Sequence, residues 1–124
     1  MSKKILIADD EESIRFTFKE FLTDAGYEVS TVDTLRSCMQ QLERQKYDLL
    51  YLDINLGKDN GLNAIKEIKS KQPACKVVMI TGAFNSRAIV TARLNGASDY
   101  LAKPIRHESL LFITQKELPA THEH

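Results

Sequence analysis

Two alternating periods run the length of this chain and confine it to one kind of architecture. Ile5-Leu6-Ile7-Ala8 is a short apolar run suited to a strand buried on both faces. Ile14, Phe18, Phe21, Leu22 and Ala25 then recur at helical spacing, with Gly26 where a helix C-cap falls. The rhythm then restarts. Residues 28–32 read as a strand, and Leu35, Cys38, Met39 and Leu42 as one face of a helix capped by Asp33 or Thr34. A strongly apolar strand is expected over 47–52, and Leu62, Ile65 and Ile68 mark a third helix closed before Pro73. Val77-Val78-Met79-Ile80 is a fourth strand, followed by a weakly patterned helix over 86–95 stopped by Gly96. A strand over 98–102 and a helix over 108–118, ended by Pro119, complete the series. Strands alternating with helices imply right-handed crossovers and a parallel sheet covered on both faces, an α/β domain of five βα units.

At 124 residues the chain is one domain's worth and can bury a core without staples. Hydrophobic residues at 43% and charged ones at 27% exclude a disordered chain. The 17 basic and 17 acidic side chains cancel, leaving no global field for nucleic acid or an anionic membrane. No apolar run approaches the roughly 20 residues of a membrane span. Cys38 and Cys75 form no disulfide framework and match no metal spacing. The expectation is a cytoplasmic domain over 1–118. Residues 119–124 read as a disordered tail whose Thr121-His122-Glu123-His124 end has the look of a truncated expression tag.

Ligands of an open parallel sheet bind beyond the carboxyl ends of its strands. The first strand ends in Asp9-Asp10, with Glu11 and Glu12 beyond; the third ends in Asp53, the fourth in Thr81 and the fifth in Lys103. Any one of these has a bland reading as a cap or a solvated side chain, but the shared edge makes the set a site. Crowded carboxylates repel one another unless a hard divalent cation neutralises them, and Mg²⁺ typically takes one or two carboxylates plus water and phosphate. The Lys103 ammonium then calls for an anion opposite the metal, and the Thr81 hydroxyl can donate to it. Metal, ammonium and hydroxyl around one carboxylate suit phosphoryl transfer. Asp53, central in the set, is the candidate nucleophile that forms an acyl phosphate.

These residues carry a resemblance. Asp9-Asp10, Leu52-Asp53 with Gly61 beyond it, Ile80-Thr81-Gly82 and the stretch Gly96-Ala97 through Asp99-Tyr100-Leu101 to Lys103-Pro104 are similar to the receiver domain of two-component response regulators, of the chemotaxis-regulator type. The resemblance spans residues 4 to about 118 and implies a flavodoxin-like (βα)5 fold with strand order 2-1-3-4-5. It implies a signalling module, not a metabolic enzyme, in which Asp53 accepts a phosphoryl group from a sensor histidine kinase or histidine phosphotransfer protein. By it, Asp10, Asp53 and the Asn55 backbone carbonyl bind Mg²⁺, with Mn²⁺ able to substitute, and Asp9 orders a metal-bound water. Thr81 and Lys103 hold the phosphoryl oxygens, and Tyr100 follows Thr81 in the switch. Lys103-Pro104 is a cis peptide, and Asn55 and Ala83 tune dephosphorylation. The output partner docks on the surface of the fourth helix, fifth strand and last helix, with neither nucleic acid nor membrane bound directly. Leu56-Gly57 departs from the Met-Pro common in the family, and glycine there implies a more mobile loop.

Two other readings share the polar set. A Mg²⁺-dependent phosphohydrolase of haloacid dehalogenase type uses aspartate, threonine, lysine and metal, but such enzymes place the nucleophile after the first strand in an Asp-x-Asp motif. A flavin binder needs a hydroxyl- and glycine-rich phosphate loop where this chain has four acids. Among the remaining residues, Cys38 reads as core and Cys75 as exposed, His107 as solvated or capping, and Glu11 and Glu12 as helix N-terminal acids favoured by the macrodipole, with modulation of metal affinity as the alternative for either.

Overall fold

The computed structural model describes residues 2–57, 59–82 and 85–119. Five strands form one parallel sheet: β1 (Lys4–Ala8), β2 (Glu28–Val32), β3 (Leu49–Asp53), β4 (Lys76–Thr81) and β5 (Asp99–Ala102). Their spatial order is β2-β1-β3-β4-β5, the expected 2-1-3-4-5. Between them lie α1 (Glu12–Asp24), α2 (Leu35–Arg44), α3 (Ile65–Lys71, entered through a 3-10 turn over Gly61–Ala64), α4 (Ser86–Leu94) and α5 (His107–Glu117). The register Asp53↔Ile80 and Thr81↔Ala102 brings the carboxyl ends of the central strands together.

Alternation along the strands divides the core between the two faces. Leu6, Ala8, Leu50, Leu52, Val77 and Met79 pack under α2, α3 and α4 with Cys38, Ile65 and Ile68. Ile5, Ile7, Leu49, Tyr51, Val78 and Ile80 pack under α1 and α5 with Phe18, Leu22 and Leu110. Every residue of β3 is buried, as its continuous apolar run requires.

Local chemistry settles the element ends. Gly26 follows α1 at φ +102°, a conformation that favours glycine, and Gly96 follows α4 at φ +118°. Thr34, not Asp33, caps α2, its side chain accepting from the Ser37 N–H at 3.0 Å. The third strand starts at Leu49 rather than Tyr47, because the Tyr47 N–H donates to the Gln72 side chain instead of a strand neighbour. Cys75 is buried, contrary to its expected exposure: its N–H donates to the Gln72 carbonyl and its side chain joins the α2–α3 core. The loop after β3 carries a short pairing of its own. Asn55–Leu56 pairs antiparallel with Asp59–Asn60, and Gly57 makes the turn at φ +59°. The tail expected over 119–124 lies outside the described residues beyond Pro119.

Candidate functional site

The strand ends deliver one pocket of charge. Asp9 leaves β1 fully buried; its Oδ1 accepts from the Glu11 N–H at 2.8 Å, and its backbone carbonyl accepts from Arg15 at 2.8 Å. Asp53 closes β3 at 3% exposure, its Oδ1 accepting from the Asn55 N–H at 2.9 Å. Gly61 has a steric reason to be glycine here: a Cβ would stand 2.8 Å from the Asp53 carbonyl oxygen. Asp10 is exposed, and its Oδ2 accepts from the Gly57 N–H at 3.1 Å, a donor that proline at that position would lack.

Lys103 arrives from the far side, beyond β5. Its N–H donates to the Thr81 carbonyl at 2.7 Å, and the Lys103–Pro104 peptide is cis. The ammonium lies 3.2 Å from Asp53 Oδ2, 3.2 Å from Asp9 Oδ2 and 2.5 Å from Glu11 Oε1. Burial disfavours the charged ammonium, but Glu11, Asp53 and Asp9 together outweigh it and raise the Lys103 pKa. Burial also raises the Asp9 pKa, with the Glu11 N–H opposing and the Asp53 charge adding to it. Thr81, buried, ends β4 one residue beyond the strand partner of Asp53. Tyr100, half-buried, stands on β5 two residues before the partner of Thr81 and packs toward the α2–α4 side.

The site therefore brings together Asp9, Asp10, Asp53 and Lys103, with Thr81 on the adjoining strand end. Ala83 lies outside the described residues. Two contributions were not foreseen. Glu11 was expected to serve the helix, yet its side chain makes no capping bond and reaches Lys103, 92 residues along the chain. Gly57, read as a source of mobility, donates to Asp10. A further carboxylate beside a known pair was the available signal for the first; nothing local signals the second.

A divalent cation fits the donor set. Oxygens of Asp9, Asp10 and Asp53 all lie within 4.8 Å of one another, and Asp9 Oδ2 is buried with no hydrogen-bond partner among the described residues. The Lys103 ammonium stands 3.2 Å from it as an ion-pair partner. Hard oxygen ligands with an unsatisfied buried anion suit Mg²⁺ or a similar ion.

A twisted parallel sheet with acids, hydroxyl and lysine at its carboxyl edge defines a phospho-acceptor module of the doubly wound class. The comparisons bring the class to a family: residues 5–115 match the response regulator receiver domain, and the chain belongs to that family. It is 38% identical over 115 residues to the alginate biosynthesis transcriptional regulatory protein AlgB of Pseudomonas putida, covering 93% of this chain and 26% of AlgB. It is 33% identical to the chemotaxis protein CheY of Thermotoga maritima, covering 86% of this chain and 89% of CheY. A response regulator structure from Burkholderia pseudomallei, with a phosphorylated aspartic acid, calcium ion and citrate, superposes with a TM-score of 0.84 at 29% identity, over 95% of this chain and 74% of the other. The chain thus spans about a quarter of AlgB but most of CheY. The phosphohydrolase reading finds no support in these matches. Among the described residues, no helix is long and apolar enough to cross a membrane.

Proposed function

We propose that Asp53 is the phospho-acceptor of this receiver domain, and that its phosphorylation drives a switch read by a partner on the α4-β5-α5 face. The observation that carries the reading is a buried carboxylate at the end of the central strand with an ammonium on one oxygen and two more carboxylates beside it. Asp53 attacks the phosphorus of a phosphohistidine donor; the P–N bond breaks, its electron pair leaves with the imidazole, and an acyl phosphate remains on Asp53. Asp10, Asp53 and the Asn55 carbonyl would hold Mg²⁺, with Asp9 acting through a water. The ion supplies charge neutralisation between phosphoryl oxygens and carboxylates. Lys103 and Thr81 orient the phosphoryl oxygens, Lys103 by charge and Thr81 by its hydroxyl. Movement of Thr81 toward the new oxygens would let Tyr100 follow, reshaping a face on which Val90, Leu94 and Phe112 already expose apolar surface. The switch acts as a module, with a histidine kinase or phosphotransfer protein upstream and an output domain or partner downstream.

Incubation with Mg²⁺ and acetyl phosphate should add one phosphoryl group, labile to hydroxylamine as an acyl phosphate is. Asp53→Asn, nearly isosteric but not nucleophilic, should abolish the addition while keeping the fold. Equal labelling of the two proteins by mass spectrometry would remove Asp53 from the role. Asp10→Ala should weaken Mg²⁺ binding strongly in a direct titration, and an unchanged affinity would show that Asp10 is no ligand.

A further inference from the structure

Resting on the reading of Asp53 as acceptor, we infer that Glu11 is a displaceable counter-ion of Lys103, occupying the place on its ammonium that a phosphoryl oxygen takes. An ammonium has three N–H donors. Here one bonds Glu11 Oε1 at 2.5 Å and one bonds Asp53 Oδ2 at 3.2 Å, with Asp9 Oδ2 at ion-pair distance. The three carboxylates differ in their surroundings. Asp9 and Asp53 are buried at the ends of β1 and β3, so withdrawing either from the ammonium would strand a charge away from water. The Glu11 side chain is 54% exposed and can return to water at small cost.

Lys103 itself is only 16% exposed by side chain, so the contact that holds it also decides what else it can meet. Glu11 draws the ammonium over Asp53 in the resting state and competes with any anion that arrives there. On phosphorylation a phosphoryl oxygen takes the position of Glu11 Oε1, and Glu11 swings out to solvent. Lys103 stays protonated throughout, and no covalent bond changes in the exchange. Because the Glu11 side chain makes no capping bond at the start of α1, its replacement leaves that helix start intact. Glu11 is thus a positioning residue: it acts on the reaction through Lys103.

The test is a beryllofluoride titration of the full chain, read by amide NMR, at Mg²⁺ concentrations shown to saturate each protein. Glu11→Gln keeps the shape and removes the charge; it should bind beryllofluoride roughly 2- to 5-fold more tightly at low salt, the range of a half-exposed ion pair. The gap should close at 1 M salt, where the Debye length falls to about 3 Å. Glu11→Asp keeps the charge but is one methylene too short for the contact, and should resemble Glu11→Gln. Equal or weaker binding by Glu11→Gln overturns the inference. So does a Glu11→Asp protein that behaves as wild type, since the field of the charge and not its contact would then be the cause. A Glu11→Gln spectrum that has lost the fold makes Glu11 structural and overturns it equally. If wild type itself binds no beryllofluoride with Mg²⁺, the acceptor reading of Asp53 fails and this inference falls with it.

Discussion

The two edges of the sheet solve the burial of polar groups in opposite ways. At the amino edge, Gln72 follows α3 and is buried, and its side chain closes three backbone gaps at once. Its Oε1 accepts from the Tyr47 N–H at 2.9 Å, and its Nε2 donates to the Leu42 and Gln45 carbonyls at 2.7 and 2.8 Å. The residue is neutral and saturated. At the carboxyl edge, the Asp9 and Asp53 carboxyl groups are buried beside a half-buried Lys103, and among the described residues Asp9 Oδ2 has an ion contact but no hydrogen bond. A satisfied amide holds structure together, whereas a shortfall of cation keeps a place for one to bind. The first edge is built for stability and the second gives up stability for chemistry.

The largest effect expected from this contrast is at Gln72. Gln72→Met keeps the volume but strands one N–H and two carbonyls, which should cost about 2–4 kcal/mol. Urea unfolding should show the loss as a lower midpoint at unchanged slope. Phosphorylation of the folded fraction should proceed as in wild type, because the mutation lies at the opposite edge of the sheet. A loss below about 0.5 kcal/mol would mean that water satisfies those backbone groups and that the amino edge is no tighter than the site.

At the other edge the sign reverses. Asp9 has a raised pKa, chiefly through burial, so the folded state holds its proton more tightly than the unfolded state. Its contribution to stability is fully present below the unfolded value near 3.8, and is lost as pH rises through the folded pKa. Asp99 runs the other way. Burial opposes its charge, but Lys116, the Tyr100 N–H and Arg93 lower its pKa on balance, so its contribution is present above 3.8 and lost as pH falls through the folded value. Asp9→Asn keeps an acceptor for the Glu11 N–H and removes the buried charge. Without metal at pH 7 it should raise stability on the order of 1 kcal/mol, the usual gain when a functional site is relaxed. It should also remove the decline with rising pH, above 3.8, that Asp9 contributes. Stability curves against pH for the two proteins decide this, and a destabilised Asp9→Asn would show that the Lys103 contact outweighs the burial of Asp9.

How much of this was legible follows the range of the interactions. The β3 run was plain because five consecutive buried residues leave a continuous apolar signature, and Asp53 stood out as the acid that ends it. The edge that gathers Asp9, Thr81 and Lys103 followed from topology, since parallel strands carry all their carboxyl ends to one side. Gln72 left no trace, because a lone glutamine after a helix reads as solvated, and its three partners lie 25 to 30 residues away. The Glu11–Lys103 pair was hidden for the same reason. Cys75 was misjudged because the Pro73-Ala74 turn beside it is indeed exposed, while Cys75 itself turns into the core beside Cys38 and Leu42. The hairpin at Asn55–Asn60 rests on two residue pairs, too few to leave a period in the sequence.

Tyr51 gives the smallest and most discriminating break, because it lies between the two edges. It is fully buried in the middle of β3, two residues before Asp53, yet its hydroxyl is paired as completely as Gln72. The Tyr51 and Thr114 hydroxyls meet at 2.5 Å, and both reach the Leu110 carbonyl on α5, Thr114 donating at 2.7 Å and Tyr51 at 3.4 Å. The ring meets Phe18 of α1 edge-on, with centroids 5.9 Å apart. Tyr51→Phe removes one donor and strands none, since the Thr114 hydroxyl keeps its own acceptor. The cost should be about 0.5–1 kcal/mol, below that of Gln72→Met, where donors and acceptors are both stranded. If burial of satisfied polar groups serves stability alone, phosphorylation by acetyl phosphate and the beryllofluoride-induced amide shifts in α5 should match wild type. Should the α5 shifts instead shrink in Tyr51→Phe, the Tyr51–Thr114 bond carries the state of Asp53 into the last helix. The division between a stabilising edge and a functional one would then run through β3 rather than between its ends.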